Sequence, residues 1–162
     1  MLDRSRYGRH PVEGWRWLPV RTPRTEKEMC ALLDALIADG DAGIRVAFAV
    51  IQLATGHAVG WTTYGFFSAV HERLEIGWTW YGRAAWRTAV NSESKLLLLT
   101  HAFEDLGMGR VSFRTDHLNT RRPVARREGA VDRPPCRWLN RIRPADHSPA
   151  VLIWAGVRAS SG

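Results

Sequence analysis

The segment Leu74-Glu75-Ile76-Gly77-Trp78-Thr79-Trp80, with the loop Ala84-Ala85-Trp86-Arg87-Thr88-Ala89-Val90-Asn91 and the run Ser92 to Leu106 behind it, decides how this chain is read. The first seven residues are rich in aromatic and apolar side chains and read as a strand. From about Asn91 to Leu106 the residues Leu96, Leu99, Phe103 and Leu106 share one helical face, and Gly107 follows where a helix would stop. Strand, polar loop and helix N-terminus in that order make an anion pocket, because the first helical turn has N–H groups without partners and the positive end of the dipole. The loop adds a hydroxyl, an amide and one guanidinium, so a phosphate fits there.

Downstream, Arg110 to Thr115 alternates as a strand, which makes strand, helix and strand one βαβ unit. Upstream, Val46 to Leu53 and His57 to Tyr64 are separated by Ala54-Thr55-Gly56, a hairpin spacing, and with Arg73 to Tyr81 they predict an antiparallel meander. Before them, Thr25-Glu26-Lys27-Glu28 spells a capping box in which Glu28 reaches back to Thr25. Met29, Leu32, Leu33, Leu36 and Ile37 then recur at helical spacing, and Gly40 is placed to end that helix. After Arg121 the chain turns Arg- and Pro-rich, with little periodicity apart from Ala150 to Trp154, and is expected to be poorly ordered. The organisation expected is an irregular segment 1–14, a folded core 15–121 and a divergent Arg/Pro-rich tail 122–162.

A length of 162 residues with 45% hydrophobic side chains suits one domain with its own core. The net charge of +7 divides unevenly: residues 1–120 hold 14 Lys and Arg against 13 acids, and residues 121–162 hold 9 Arg against 3 acids. The basicity belongs to the tail, whereas a dedicated nucleic-acid reader carries it on a folded face, so a nucleic-acid partner is not expected. Cys30 and Cys136 are too few for a disulfide framework, which favours a reducing compartment. His57, His71, His101 and His117 show no ligand spacing, and no metal site is expected. The N-terminus lacks the apolar stretch of a signal peptide, and no apolar run approaches the ~20 residues of a bilayer span. The expectation is a cytoplasmic protein without a membrane partner.

Glu75-Ile76-Gly77-Trp78-Thr79-Trp80, then Arg87-Thr88-Ala89-Val90-Asn91-Ser92-Glu93-Ser94-Lys95, then Ala102-Phe103-Glu104-Asp105-Leu106-Gly107, and finally Arg114-Thr115-Asp116 with Asn119, resemble the GNAT acetyltransferases. The likeness is to the branch similar to ribosomal-protein N-terminal acetyltransferases. It begins near Trp15-Arg16-Trp17-Leu18-Pro19 and runs to about residue 121. The resemblance implies an α+β fold: a central, mostly antiparallel sheet with flanking helices and one βαβ cofactor unit, incomplete at both ends.

It also implies acetyl-CoA as co-substrate and a primary amine, a protein N-terminus or a small amine, as acceptor in a ternary complex. By the same resemblance Arg87, Thr88, Ala89, Val90 and Asn91 hold the pyrophosphate, and Asn119 touches the cofactor. Backbone groups of Ile76, Gly77 and Trp78 pair with the pantetheine arm and polarise the thioester carbonyl. Glu75 is the candidate general base, since the amine must lose a proton to attack. Tyr64 and Trp78 are candidates for the acceptor wall. The family commonly has Gln where Trp86 stands, so packing at that point is expected to differ. Against these roles stand plainer readings: Glu75 as a strand glutamate bound to a basic neighbour, the loop as an ordinary helix cap, and the chain as an inactive remnant with residual acetyl-CoA binding.

Overall fold

The computed structural model describes residues 12–114, 128–132 and 151–155; Asn119, His117 and Cys136 lie outside them. A helical turn, α1 (Val12–Trp15), leads to helix α2 (Glu26–Asp41). The Thr25 hydroxyl accepts the Glu28 N–H at 3.1 Å. The return bond differs from expectation, because the Glu28 carboxylate takes the Arg24 N–H at 2.6 Å, one residue further back than Thr25. Gly40 does not end α2 either. The helix continues to Asp41, and the chain reverses at Gly43, whose φ of 69° is the conformation glycine adopts without penalty.

The meander follows as β1 (Arg45–Gln52), β2 (His57–Ser68) and β3 (Arg73–Tyr81). β2 outruns its expected end at Tyr64 by four residues. Gly60 on β2 meets β3 so closely that a Cβ there would stand 2.2 Å from the Trp80 carbonyl oxygen. Helix α3 (Val90–Thr100) then passes into a π turn, His101–Asp105, and β4 (Arg110–Arg114) runs parallel to β3. Strand, helix and strand therefore form the expected βαβ unit.

The tail departs from the expectation of poor order in two places. Glu128–Asp132 forms β5, antiparallel to β4, and Val151–Ala155 forms β6, antiparallel to β1. The unpaired edges of a meander are templates for further strands, and the apolar run at 151–155 suits that use. The sheet order is β5-β4-β3-β2-β1-β6. An ion pair from Arg110 Nε to Asp132 Oδ1 at 2.5 Å joins the exposed ends of β4 and β5.

Each face of the sheet has its own helix. Phe48, Tyr64, Leu74 and Ile76 pack against Leu98, Ala102 and Phe103 on the α3 side. Trp15 and Leu36 pack on Trp61 on the α2 side, with Ala47, Trp78 and Trp80 against them. The Trp61 and Trp80 rings stack at 4.9 Å, and Trp15 lies 5.4 and 5.0 Å from them.

Candidate active site

The site begins with an irregularity in β3. Trp61 of β2 pairs with Trp80 and Thr63 pairs with Gly77, so two steps on β2 face three on β3, and the extra residue is a β-bulge. Trp78 carries it with a φ of 47°, a left-handed value that costs an aromatic residue energy. Leu74 and Ile76 face α3, so unbroken alternation would send Trp78 and Trp80 there too. The bulge reverses the sense, and both tryptophans join the α2 side. Gly77, inside the strand, was the signal available in the sequence.

The parallel pairing of β3 with β4 runs from Arg73 with Arg110 to Ile76 with Phe113, and the described pairing ends there, next to the bulge. The Gly77 carbonyl accepts the Thr63 hydroxyl of β2 at 3.2 Å, so it faces β2. In a trans peptide C=O and N–H point opposite ways, which turns the Trp78 N–H away from β2 toward the β4 side.

On the α2 face, Arg45, Gly65 and Glu75 stand in one row across β1, β2 and β3. Glu75 is buried, and a Cβ on Gly65 would meet the Arg45 Cβ at 3.8 Å. The Arg45 guanidinium lies 3.9 Å from the centroid of Trp78 and pairs with Asp39 at 2.8 Å. A cleft of about 440 Å³ gathers these groups, with Glu75, Gly77 and Trp78 in its wall and the exposed Phe66 and Phe67 beside them. Of the two expected acceptor-wall aromatics, Trp78 is here. Tyr64 is not: it is buried on the α3 side, where its hydroxyl donates to the Leu98 carbonyl.

The loop before α3 is tied to the end of β3. Trp86, at the point of difference from the family, donates its indole N–H to the Tyr81 carbonyl at 2.8 Å. The Tyr81 hydroxyl meets the buried Ser94 hydroxyl at 2.5 Å. Arg87 turns with φ 59°, and the Thr88 hydroxyl donates to the Ala85 carbonyl at 2.7 Å. Ala89 is the N-cap residue and has no side chain to cap α3. The Thr88 oxygen accepts the Val90 N–H at 3.4 Å, and a left-handed residue just before a helix N-terminus suits an anion, so the residues present fit a pyrophosphate. The Val90 and Ile76 side chains point into apolar clusters, so any contact they make with a ligand is through backbone. Among the described residues no group of three or more His, Cys, Asp or Glu is placed to hold a metal ion. No described helix is long and apolar enough to cross a membrane.

Sequence and structure comparisons bear on this geometry. A family profile described as an acetyltransferase (GNAT) domain matches residues 7–131. A search of curated proteins gives no match. Among solved structures, the chain is similar to a GCN5-related N-acetyltransferase from Brucella melitensis, with 23% identity over 71% of this chain and 51% of that one and a TM-score of 0.64. A putative acetyltransferase from T. thermophilus is 34% identical over 68% of this chain and 56% of that one, TM-score 0.57. RimJ of Mycobacterium smegmatis, solved in complex with CoA-disulfide, is 19% identical over 69% and 54%, TM-score 0.56. The chain spans a little over half the length of these structures.

Proposed function

The chain belongs to the GNAT acetyltransferases, and from that premise we propose that it is an acetyl-CoA-dependent N-acetyltransferase acting on a primary amine, a protein N-terminus or a small amine, by direct attack in a ternary complex. The observation that carries the proposal is the placement of a buried carboxylate, Glu75, in a cleft beside the bulge at Gly77 and Trp78. Acetyl-CoA is the second substrate and supplies an activated acetyl group. Glu75 takes the proton that the amine loses as its nitrogen bonds to the acetyl carbon; the carbon–sulfur bond of the thioester then breaks, and CoA leaves as a thiolate that regains a proton from solvent. The Trp78 N–H, turned to the β4 side, donates to the oxygen on which negative charge grows. Arg87 to Asn91 and the start of α3 hold the pyrophosphate. A reducing, cytoplasmic setting suits the exposed free thiol of Cys30.

Titration calorimetry with acetyl-CoA, followed by transfer to a panel of peptides and small amines, tests this reading. Saturable binding weakened by Arg87→Ala, with transfer lost in Glu75→Gln, supports it. Binding without transfer to any amine leaves an inactive remnant, and no binding by folded protein overturns the cofactor assignment.

A further inference from the structure

Lysine on a helix ordinarily keeps its ammonium in water, with its stem along the surface. Lys95, on the second turn of α3, instead reaches into the sheet. Its Nζ donates to Thr62 Oγ1 at 2.9 Å and to Thr79 Oγ1 at 2.8 Å, and those two oxygens are 2.8 Å apart. Thr62 is fully buried. An ammonium has donors only, so both hydroxyl oxygens accept from it and each keeps its own proton to donate. The Thr79 hydroxyl donates to the Gly77 carbonyl at 3.4 Å, and the Thr62 hydroxyl then donates to Thr79.

The chain of donors thus runs from Lys95 through Thr79 to the carbonyl that Thr63 also holds from the other side of the sheet. That carbonyl belongs to the same peptide unit as the Trp78 N–H. Two hydroxyls on its oxygen fix the plane of the unit and polarise it, which strengthens the N–H at its opposite end. The strained φ of Trp78 needs such support to persist.

We propose that Lys95, acting through Thr79 and Thr62, is a positioning residue that aims and polarises the Trp78 N–H toward the thioester oxygen; the proposal rests on the acetyl-transfer reading above. Lys95→Met removes the donors at similar length, and Lys95→Arg restores them. Thr79→Val and Thr79→Ser form a second pair that leaves the lysine in place. The readouts are calorimetric affinity for acetyl-CoA, the infrared carbonyl stretch of bound, isotope-labelled acetyl-CoA, and kcat with KM.

Lys95→Met and Thr79→Val are expected to bind acetyl-CoA within about twofold of wild type and to lose the downward shift of the carbonyl stretch. Their kcat should fall about tenfold to a hundredfold, in the range of a weakened oxyanion donor. Lys95→Arg and Thr79→Ser should recover part of both. An unchanged stretch and kcat in folded Lys95→Met and Thr79→Val protein that binds acetyl-CoA overturns the proposal alone. Wild-type protein that binds no acetyl-CoA overturns the acetyl-transfer reading and this inference with it, and failure in the wild type separates that case from failure in the variants.

Discussion

The Glu75 carboxylate lies over the strand position that Gly77 leaves bare: a Cβ at residue 77 would stand 3.1 Å from Glu75 Oε1. The two residues share a face of β3, so the absence of a side chain at 77 lets the carboxylate fold along the strand toward the bulge. Gly77→Ala should push it aside, lowering kcat about tenfold while acetyl-CoA affinity holds, at a stability cost of about 1 to 3 kcal/mol. Kinetics read beside a thermal melt check this, and an alanine variant with wild-type kcat removes any need for the carboxylate at that place.

Glu75→Gln keeps the shape and removes the proton acceptor. If Glu75 is the general base, kcat falls roughly 10²- to 10⁴-fold with little change in melting temperature. A strand glutamate bound only for structure would show the reverse, a lower melting temperature with transfer largely intact. Both quantities come from one preparation of the variant.

Arg87 combines a charge with a left-handed backbone, and two substitutions separate them. Arg87→Ala and Arg87→Gly both lose the guanidinium and should weaken acetyl-CoA binding to the same extent, more at low salt than at high. The glycine variant should also melt higher than the alanine variant, by up to about 1 kcal/mol, because glycine adopts this φ freely. Calorimetry at two salt concentrations with paired melts measures both effects, and an alanine variant that melts higher than the glycine variant would show that strain at φ 59° is smaller than the entropy glycine adds to the unfolded chain.

The meander, α2 and the βαβ unit were legible because each rests on a period that side-chain polarity repeats: 2 for Val46 to Leu53, about 3.6 for Met29 to Ile37. The bulge breaks that period, and alternation read straight through Gly77 puts Trp78 and Trp80 on the wrong face. β5 was invisible for another reason. Glu128-Gly129-Ala130-Val131-Asp132 has weak strand propensity of its own, and its conformation comes from pairing with β4. Glu75, Gly77 and Trp78, named from the sequence as candidates, line one cleft. Lys95 was not among them, because a lysine on a polar helix face reads as solvated, and only the fold brings Thr62 and Thr79 under it.

Tyr64 supplies a test of the α3-side core that does not involve the cleft. Its phenol is buried, donates to the Leu98 carbonyl, and stacks at 6.2 Å on the His101 ring, which meets Asp105 at 2.6 Å. Burial, with the Asp105 charge adding to it and the Ala102 backbone opposing, pushes the phenol well above its ordinary range. The unfolded chain ionises this group near pH 10, about its unperturbed value, while the folded chain keeps the proton. Above that pH the unfolded state binds fewer protons, so stability is whole below about pH 10 and falls as pH rises beyond it. Tyr64→Phe should cost about 1 kcal/mol at neutral pH through the lost hydrogen bond and make the alkaline decline shallower. Urea melts of both proteins between about pH 8 and pH 11 measure the two slopes. A decline equally steep in the phenylalanine variant would assign it to other groups and remove Tyr64 as its source.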